Sequence, residues 1–484
     1  MNAPASSPIA PALVLRDFPS WLPSMLVKEL RQGLRTRGFV GALFLFQAAM
    51  VLMLFFQLAT MSTAFPAAAM NGFFWLLISL QLLLFAPTRA LGSIQNEATS
   101  RTLDLLLLTR LNAWRIVLGK WFAIGAETLL LLIAILPYGI VRYFVSSVDL
   151  VADAGRCLLL LAACALLVAA GLWTSGITKI LRLVVVIALV FGAQGAIGIF
   201  SMFGSRSATW SVPAGLSSPI VWLDFGLVLA FLLAGAVRTI AAAAENHAGL
   251  IRGLPLGALL LVVLAVIAED TDAATAQLVF TGVFLAIVGA IELAGGRRPM
   301  PSHWRAWRAR GGLGRLVGPL ALPGWKSAFL FVAVATALWA GCALLFVPTG
   351  TPASREQAEK LVWLALLAGS GLAFPVVFWS FVPRKPAAPG ARYVGTLLVM
   401  FLLAGAGASL AASQWKITGL FTLAKMLPIS AFLCAFSAEE PGFVVFSLRL
   451  LFTFAVFAGG FWQTRAHWQQ LAEFEARDRA NRQF

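Results

Sequence analysis

Four ionisable residues lie inside long apolar runs of this 484-residue chain, where a charge is costly. They are Glu127, Asp224, Glu292 and Arg449. Each is expected to face other helices or a wet cavity, because lipid cannot solvate it. Glu127, about a turn and a half inside its run, is the strongest candidate for a group on a transport pathway. The alternative is a glutamate that only hydrogen-bonds to a neighbouring helix.

Residue types that usually carry out catalysis or bind cofactors are sparse. The sequence contains no G-x-x-x-x-G-K-[ST] phosphate-binding loop. Its three histidines, His247, His303 and His467, are far apart, lack HExxH spacing and are expected in solvated loops. The four cysteines stand singly in apolar runs. The sequence therefore predicts no catalytic residue, no metal site and no cofactor.

The elements that must position these residues are membrane-spanning helices. Hydrophobic residues make up 60% of the chain and charged residues only 12%, against about 25% charged in soluble domains. The apolar runs are about 20 residues long, enough to cross a hydrocarbon core of roughly 30 Å. We predict an all-α integral membrane protein with about 12 transmembrane helices. The predicted spans are Val40 to Thr60, Phe73 to Pro87, Trp121 to Ile140, Cys157 to Trp173, Leu183 to Phe203, Val221 to Ala236, Leu254 to Ala268, Leu278 to Ala294, Ala328 to Val347, Leu361 to Val382, Val394 to Ala412 and Phe443 to Phe461.

The distribution of basic residues predicts the orientation. With the N-terminus in the cytoplasm, the inside segments before the tail hold 24 Lys and Arg residues and the outside segments hold 7. Phe421 to Phe436 is short and contains Lys425 and Pro428, so we interpret it as re-entrant or interfacial, which leaves the C-terminal tail inside. The net charge of +16 reflects this topology and does not indicate a nucleic-acid partner. We expect a multi-pass protein of the bacterial cytoplasmic (inner) membrane.

The predicted spans and loops divide the chain into six segments. The longest stretch between spans is about 40 residues, too short for a separate soluble catalytic domain. The segments are a cytoplasmic N-terminus with an amphipathic helix (1–39), a six-helix membrane domain (40–250), two further spans (251–294), a basic Gly/Pro-rich cytoplasmic linker (295–327), a C-terminal membrane region (328–461) and a cytoplasmic tail (462–484).

The loop from Arg89 to Lys120 is the most informative part of the chain. Within it, Leu107, Leu111, Trp114 and Leu118 recur at helical spacing. This pattern predicts a short amphipathic helix or helical hairpin at the cytoplasmic surface. The alternative is a basic loop that only fixes topology.

This loop resembles the corresponding loop of ABC-2 type transporter permeases. That family has a glutamate before a Gly-Thr pair, a leucine run, a Thr-Pro pair and a Gly-Lys pair. Arg101 stands here for the family's glycine and Arg110 for its proline. In the family this loop docks onto a separate ATPase subunit, which implies an ATPase-coupling role here for Glu97, Thr102, Leu105, Leu106, Leu107, Thr109, Arg115, Gly119 and Lys120.

The stretch before the first span is also amphipathic. Leu22, Leu26, Leu30 and Leu34 form an apolar stripe. The opposite face is basic and holds Lys28, Arg31 and Arg35. Such a helix lies in the headgroup layer, and it resembles the elbow helix that precedes the first span of ABC-2 permeases. The alternative is a simple positive anchor for the first span.

The resemblance covers roughly residues 20 to 240, about half of the chain. It implies a transmembrane permease subunit of an ATP-driven export complex, which is not itself an enzyme because a separate subunit hydrolyses ATP. Membrane lipid is a further partner, and a second copy or a second permease subunit stays open. The rival interpretations are a membrane-embedded enzyme acting on lipid-linked substrates and a secondary transporter. Glu269, Asp270 and Asp272 form the densest acidic cluster, without the spacing of a metal site.

Overall fold

The computed structural model describes residues 23–60, 67–99, 112–145, 150–175, 219–242, 245–267, 271–295, 301–346, 369–381, 392–400, 450–465 and 469. Every regular element within these ranges is a helix. The chain divides into two compact units, one ending at Ala241 and the other beginning at Ala242.

The first unit contains seven α-helices in the described residues, and a six-residue π-helical turn, Leu80–Phe85, joins two of them within one continuous segment. The helices are α1 (Ser24–Leu34), α2 (Arg37–Thr60), α3 (Ala67–Ser79), α4 (Ala86–Thr99), α5 (Ala113–Val145), α6 (Leu150–Ser175) and α7 (Pro219–Ile240).

The second unit begins with two long helices, continues with two short ones and then has another long helix. These are α8 (Ala248–Ile267), α9 (Thr271–Ala294), α10 (Pro301–Arg308), α11 (Gly311–Ala321) and α12 (Trp325–Phe346). Further helical residues are Gly369–Phe381, 392–400 and 450–465.

Eight helices in the described part of the chain are long and apolar enough to cross a membrane. They coincide with eight of the predicted spans and give the architecture of a multi-pass helical membrane protein. The predicted spans Leu361 to Val382, Val394 to Ala412 and Phe443 to Phe461 are described only in part. Leu183 to Phe203, Phe421 to Phe436 and Arg449 lie outside the described residues.

Large apolar side chains point outward in α2. Phe44, Leu45, Leu52 and Phe55 are each at least 65% exposed, which suits contact with lipid tails. The interior of the first unit is closely packed where α4 meets α6. A Cβ added at Gly171 of α6 would lie 2.9 Å from the Cβ of Ala90, so only glycine permits this approach.

Helix α1 is present and packs against α5. Met25, Leu30 and Gly33 are buried, whereas Leu26 and Leu34 of the predicted stripe are half-buried. Arg31 and Arg35 are exposed, and Lys28 is partly so. Thr36 separates α1 from α2 and caps α2, since its Oγ1 accepts a hydrogen bond from the backbone N–H of Phe39 at 3.3 Å.

The stretch 295–327, expected to link two halves, lies within the second unit and contains helices α10 and α11. Glycines make the corners of this region: Gly311 has φ 78° at the turn into α11, and Gly324 has φ 114° before α12. Side chains with a Cβ rarely adopt these angles, so the glycines permit the sharp reversals.

Candidate functional site

Glu127 lies at the centre of a charged cluster at one end of the first unit. It is only 4% exposed and forms an ion pair with Arg89 of α4. Arg89 also donates a hydrogen bond from Nη2 to the Thr36 hydroxyl at 3.4 Å, and its Cζ lies 5.9 Å from the centre of the Phe39 ring. Glu127 on α5 is thereby connected to α4 and to the start of α2.

A second ion pair connects α5 to α1. Lys120 is 3% exposed, and its Nζ lies 3.2 Å from Oε1 of Glu29. Beside it, a Cβ added at Gly119 would come within 2.9 Å of Cγ of Met25. The absence of a side chain at Gly119 therefore lets α1 approach α5 closely enough for this pair to form.

Gly33 is the third contact between α1 and α5. It faces the carboxylate of Glu127 so closely that a Cβ at this position would overlap Oε1. We call Glu29, Thr36, Arg89, Lys120 and Glu127 the Glu127 cluster.

The Glu127 cluster contains two carboxylates and two cationic side chains, so its charges balance. Each carboxylate is paired with a cationic side chain of another helix, so both pairs connect helices to one another. Removing one partner of a fully buried ion pair typically costs roughly 3–5 kcal/mol, since the other charge is left without compensation, and the cost is smaller for a partly exposed pair such as Arg89–Glu127. The cluster therefore makes α1, α4 and α5 resist separation at this end.

The Glu127 cluster flanks the predicted coupling segment. Helix α4 leads into residues 100–111, which lie outside the described residues, and α5 leads out of them. Asn112 caps α5, since its Oδ1 accepts from the backbone N–H of Trp114 at 3.3 Å. Arg89 and Lys120 thus sit on the two stems of this segment.

The predicted coupling residues fall into two groups. Thr102, Leu105, Leu106, Leu107 and Thr109 lie outside the described residues. Of the others, Glu97 is on α4, Arg115 is exposed in the first turn of α5, and Gly119 and Lys120 are buried.

A different cluster lies about 22 Å further along α5, fifteen residues on at roughly 1.5 Å each. Arg142 is 2% exposed, its Nη2 donates to Oδ1 of Asn71 at 2.7 Å, and it lies 3.2 Å from Asp153. Asp153 also pairs with Arg156 at 3.2 Å, and the Cζ of Arg142 lies 4.3 Å from the centre of the Phe74 ring. Arg142 therefore joins α5 to α3 and α6 through Asn71, Phe74 and Asp153.

In the second unit, Glu292 of α9 is 1% exposed and pairs with Arg252 of α8. The Nη2–Oε2 distance is 2.6 Å and the Nε–Oε2 distance is 2.8 Å. Nη1 of Arg252 also donates to the backbone carbonyls of Leu320 and Leu322, at 2.6 and 2.9 Å. We call these groups the Arg252 cluster.

The remaining candidates of the sequence analysis are dispersed. His303 is 4% exposed and lies within the short helix α10, so the expectation of a solvated loop is wrong for this residue. His247 lies 3.1 Å from Glu245, and His467 is outside the described residues. Asp224 is half-buried in α7.

The sequence did not indicate roles for Glu29 or Arg252, and it did not indicate that Arg89 pairs with Glu127. A usable signal was present for Glu29, the only acidic residue between positions 18 and 96.

Comparisons with protein-family models, with curated proteins and with solved structures find no match to this chain.

Proposed function

We propose that this chain is the transmembrane permease subunit of an ATP-driven ABC-2 type export complex, and that a separate ATPase subunit docks on the segment from Arg89 to Lys120. The observation that carries the proposal is the Glu127 cluster, which ties the two stems of that segment to α1. The resemblance of the segment to a coupling loop indicates that the partner is an ATPase subunit. The ion pairs of the Glu127 cluster would transmit a movement of the segment to α1.

The proposed mechanism is mechanical. Closure of the ATPase subunits displaces the coupling segment, and α4 and α5 move with it because they are its stems. The Lys120–Glu29 pair makes α1 move together with α5, and the Arg89–Glu127 pair makes α4 move together with α5. Helix α1 then acts as an elbow helix, and the bundle is shifted between two states whose relative stability the ATPase controls.

The proposal includes a topology of about 12 spans, with the N-terminus and the C-terminal tail in the cytoplasm of a bacterial inner membrane. It is supported by the excess of 24 over 7 basic residues on the inside. Cysteines substituted at Thr99 and at Ser302 are expected to resist an impermeant thiol reagent in intact cells and to react in inverted vesicles. Labelling of either position from outside the cell would refute this orientation.

The docking test uses the full chain, purified in mild detergent from its own membranes. We expect a soluble ATPase to co-purify in stoichiometric amount and Leu107→Asp to weaken that association at least tenfold, because it places a charge in the proposed apolar contact. The matched control is Leu250→Asp, the same change at an exposed position near the start of α8, which should not alter it. Equal retention of the ATPase by both variants would remove the main support for this function.

The rival functions give different results in the same preparation. A membrane-embedded enzyme would turn over a lipid-linked substrate without any ATPase partner. A secondary transporter would move its substrate in vesicles in response to an ion gradient alone. The ion pairs of the Glu127 cluster support the mechanical role because they connect both ends of the coupling segment to neighbouring helices.

A further inference from the structure

A strongly basic stretch in the second unit has no part in the proposed coupling. Between Arg297 and Lys326 the sequence contains seven basic residues and no acidic one. Glu292 is the last acidic residue before this stretch, and it is already engaged by Arg252. The next acidic residue after it is Glu356, so the stretch carries no counter-charge of its own.

Within the described part of this stretch, helices α10 and α11 form a hairpin with a tightly packed inner side. Trp304 is 8% exposed and lies over Gly318, where an added Cβ would be 3.2 Å from the indole ring. Trp307 approaches Gly249 of α8 equally closely, since a Cβ there would lie 3.1 Å from its ring. The inner side of the hairpin is therefore fixed against a membrane-spanning helix.

The end of the hairpin is fastened by hydrogen bonds to its backbone. Arg252 donates to the carbonyls of Leu320 and Leu322, and Nδ2 of Asn246 donates to the carbonyl of Ala321 at 2.9 Å. These bonds use main-chain oxygens of the hairpin as acceptors, so they do not depend on the identity of its side chains.

The outer side of the hairpin presents arginines. Arg305 and Arg310 are exposed, and Cζ of Arg310 lies 4.4 Å from the centre of the Trp307 ring. A guanidinium stacked on an aromatic face can still donate hydrogen bonds within its own plane, which suits it to bind phosphate. Val317 is also 38% exposed, so cationic, aromatic and apolar groups occur together.

We propose that the hairpin of α10 and α11 is a binding surface for the headgroups of anionic phospholipids. The hairpin packs against α8 and α12, two of the helices able to span a membrane, so its arginines lie where headgroups are found. Tryptophan beside arginine is typical of the membrane interface. An acidic protein would match the arginines but gives no reason for Val317 to be exposed beside them. The surface does not depend on the proposed export function.

The test compares lipid binding by the full-length chain in nanodiscs or detergent. Phosphatidylglycerol is the anionic probe and phosphatidylcholine the zwitterionic control, with retained lipid counted by native mass spectrometry. We expect selective retention of phosphatidylglycerol, and an affinity weakened roughly 30-fold in Arg305→Gln/Arg310→Gln, since each basic residue at a membrane surface contributes about fivefold. Replacing both arginines by lysine should preserve most of the binding, because the charge is kept.

The matched control is Arg37→Gln/Arg465→Gln, which removes the same charge from exposed positions outside the hairpin and outside α1. It should reduce retention by less than threefold. Equal losses in the two double variants would show a general response to net charge and would overturn the proposal. So would unchanged retention in Arg305→Gln/Arg310→Gln, or binding of soluble polyglutamate in preference to phosphatidylglycerol, which would indicate an acidic protein partner. Size-exclusion profiles identify any variant that fails to fold.

Discussion

The Glu127 cluster and the Arg252 cluster both attach a short helix that precedes a membrane-spanning helix, and they do so by different means. Helix α1 is attached through side chains, by the pair of Glu29 with Lys120. Helix α11 is attached through its backbone carbonyls, which accept hydrogen bonds from Arg252. The first attachment depends on which side chains α1 carries, whereas the second does not depend on the side chains of α11.

The two clusters also differ in exposure, and in the proposed topology Arg89 begins the cytoplasmic segment, where water can reach it. The side chain of Arg89 is 23% exposed, whereas those of Arg252 and Glu292 are 3% and 0% exposed. An ion pair near water can break and form again at modest cost, because water solvates the separated charges. A dry pair cannot, since separation leaves two unsolvated charges. We therefore expect the ion pair of the first unit to be less costly to break than the ion pair of the second unit.

The largest effect is expected from Arg252→Met, which removes the cation of the more deeply buried ion pair. Glu292 would be buried without its cation, and two carbonyls would lose a donor, so the free energy of unfolding should fall by about 3–5 kcal/mol. Thermal and denaturant unfolding of the purified chain in detergent measures this. Arg252→Met/Glu292→Leu should recover part of the loss, because it also removes the buried charge of Glu292. The two carbonyls would still lack their hydrogen-bond donor. A fully stable Arg252→Met would contradict this expectation.

A smaller effect is expected from Arg89→Met, because water reaches this end of the Glu127 cluster. We expect a loss of about 1–3 kcal/mol, less than at Arg252, and a further decrease of the effect in high salt. The single variant Glu127→Gln and the double variant Arg89→Met/Glu127→Gln complete a cycle that isolates the interaction between the two side chains. If the loss equals that at Arg252 and is independent of salt, the two clusters do not differ in the way proposed.

The smallest effect concerns packing alone. Gly33→Ala would place a methyl group on the Glu127 carboxylate and displace α1, with an expected loss of about 1–2 kcal/mol. Gly38→Ala and Gly41→Ala are matched controls on α2, where an added Cβ meets nothing within 4 Å. These should be neutral or stabilising by roughly 0.5–1 kcal/mol, because alanine is the better helix former. Thermal unfolding of the three variants, measured side by side, gives the direction of each change in stability. If a control variant is as destabilised as Gly33→Ala, the effect at Gly33 is not due to its contact with Glu127.

The sequence predicted the helical membrane architecture because apolar runs of about 20 residues permit few other structures. It also predicted that Glu127 and Glu292 face inward, and their burial confirms this. Their partners could not be read from the sequence, because Arg89 and Arg252 lie 38 and 40 positions away and meet them only through helix packing.

The hairpin of α10 and α11 was missed for a different reason. Its glycines and prolines resemble a linker, so the sequence favoured a loop. In the structure, Gly314 and Gly318 lie within α11 and allow it to pack closely on Trp304 and Trp307 of α10. A glycine that permits close packing and a glycine that breaks a helix are indistinguishable without the neighbouring side chain. The burial of His303 was missed on the same account.

The π-helical turn Leu80–Phe85 gives the second span a change of phase. A π turn is an α-helix with one additional residue, and each residue of an α-helix advances the direction of its side chains by about 100°. Side chains after the turn are therefore rotated relative to an uninterrupted helix. A helical wheel drawn straight through residues 71–94 would assign Arg89 to a different face from the one that meets Glu127. The single extra residue thus rotates the side chains after the turn relative to those before it. The apolar residues before the turn and the polar residues after it can therefore face different neighbouring helices.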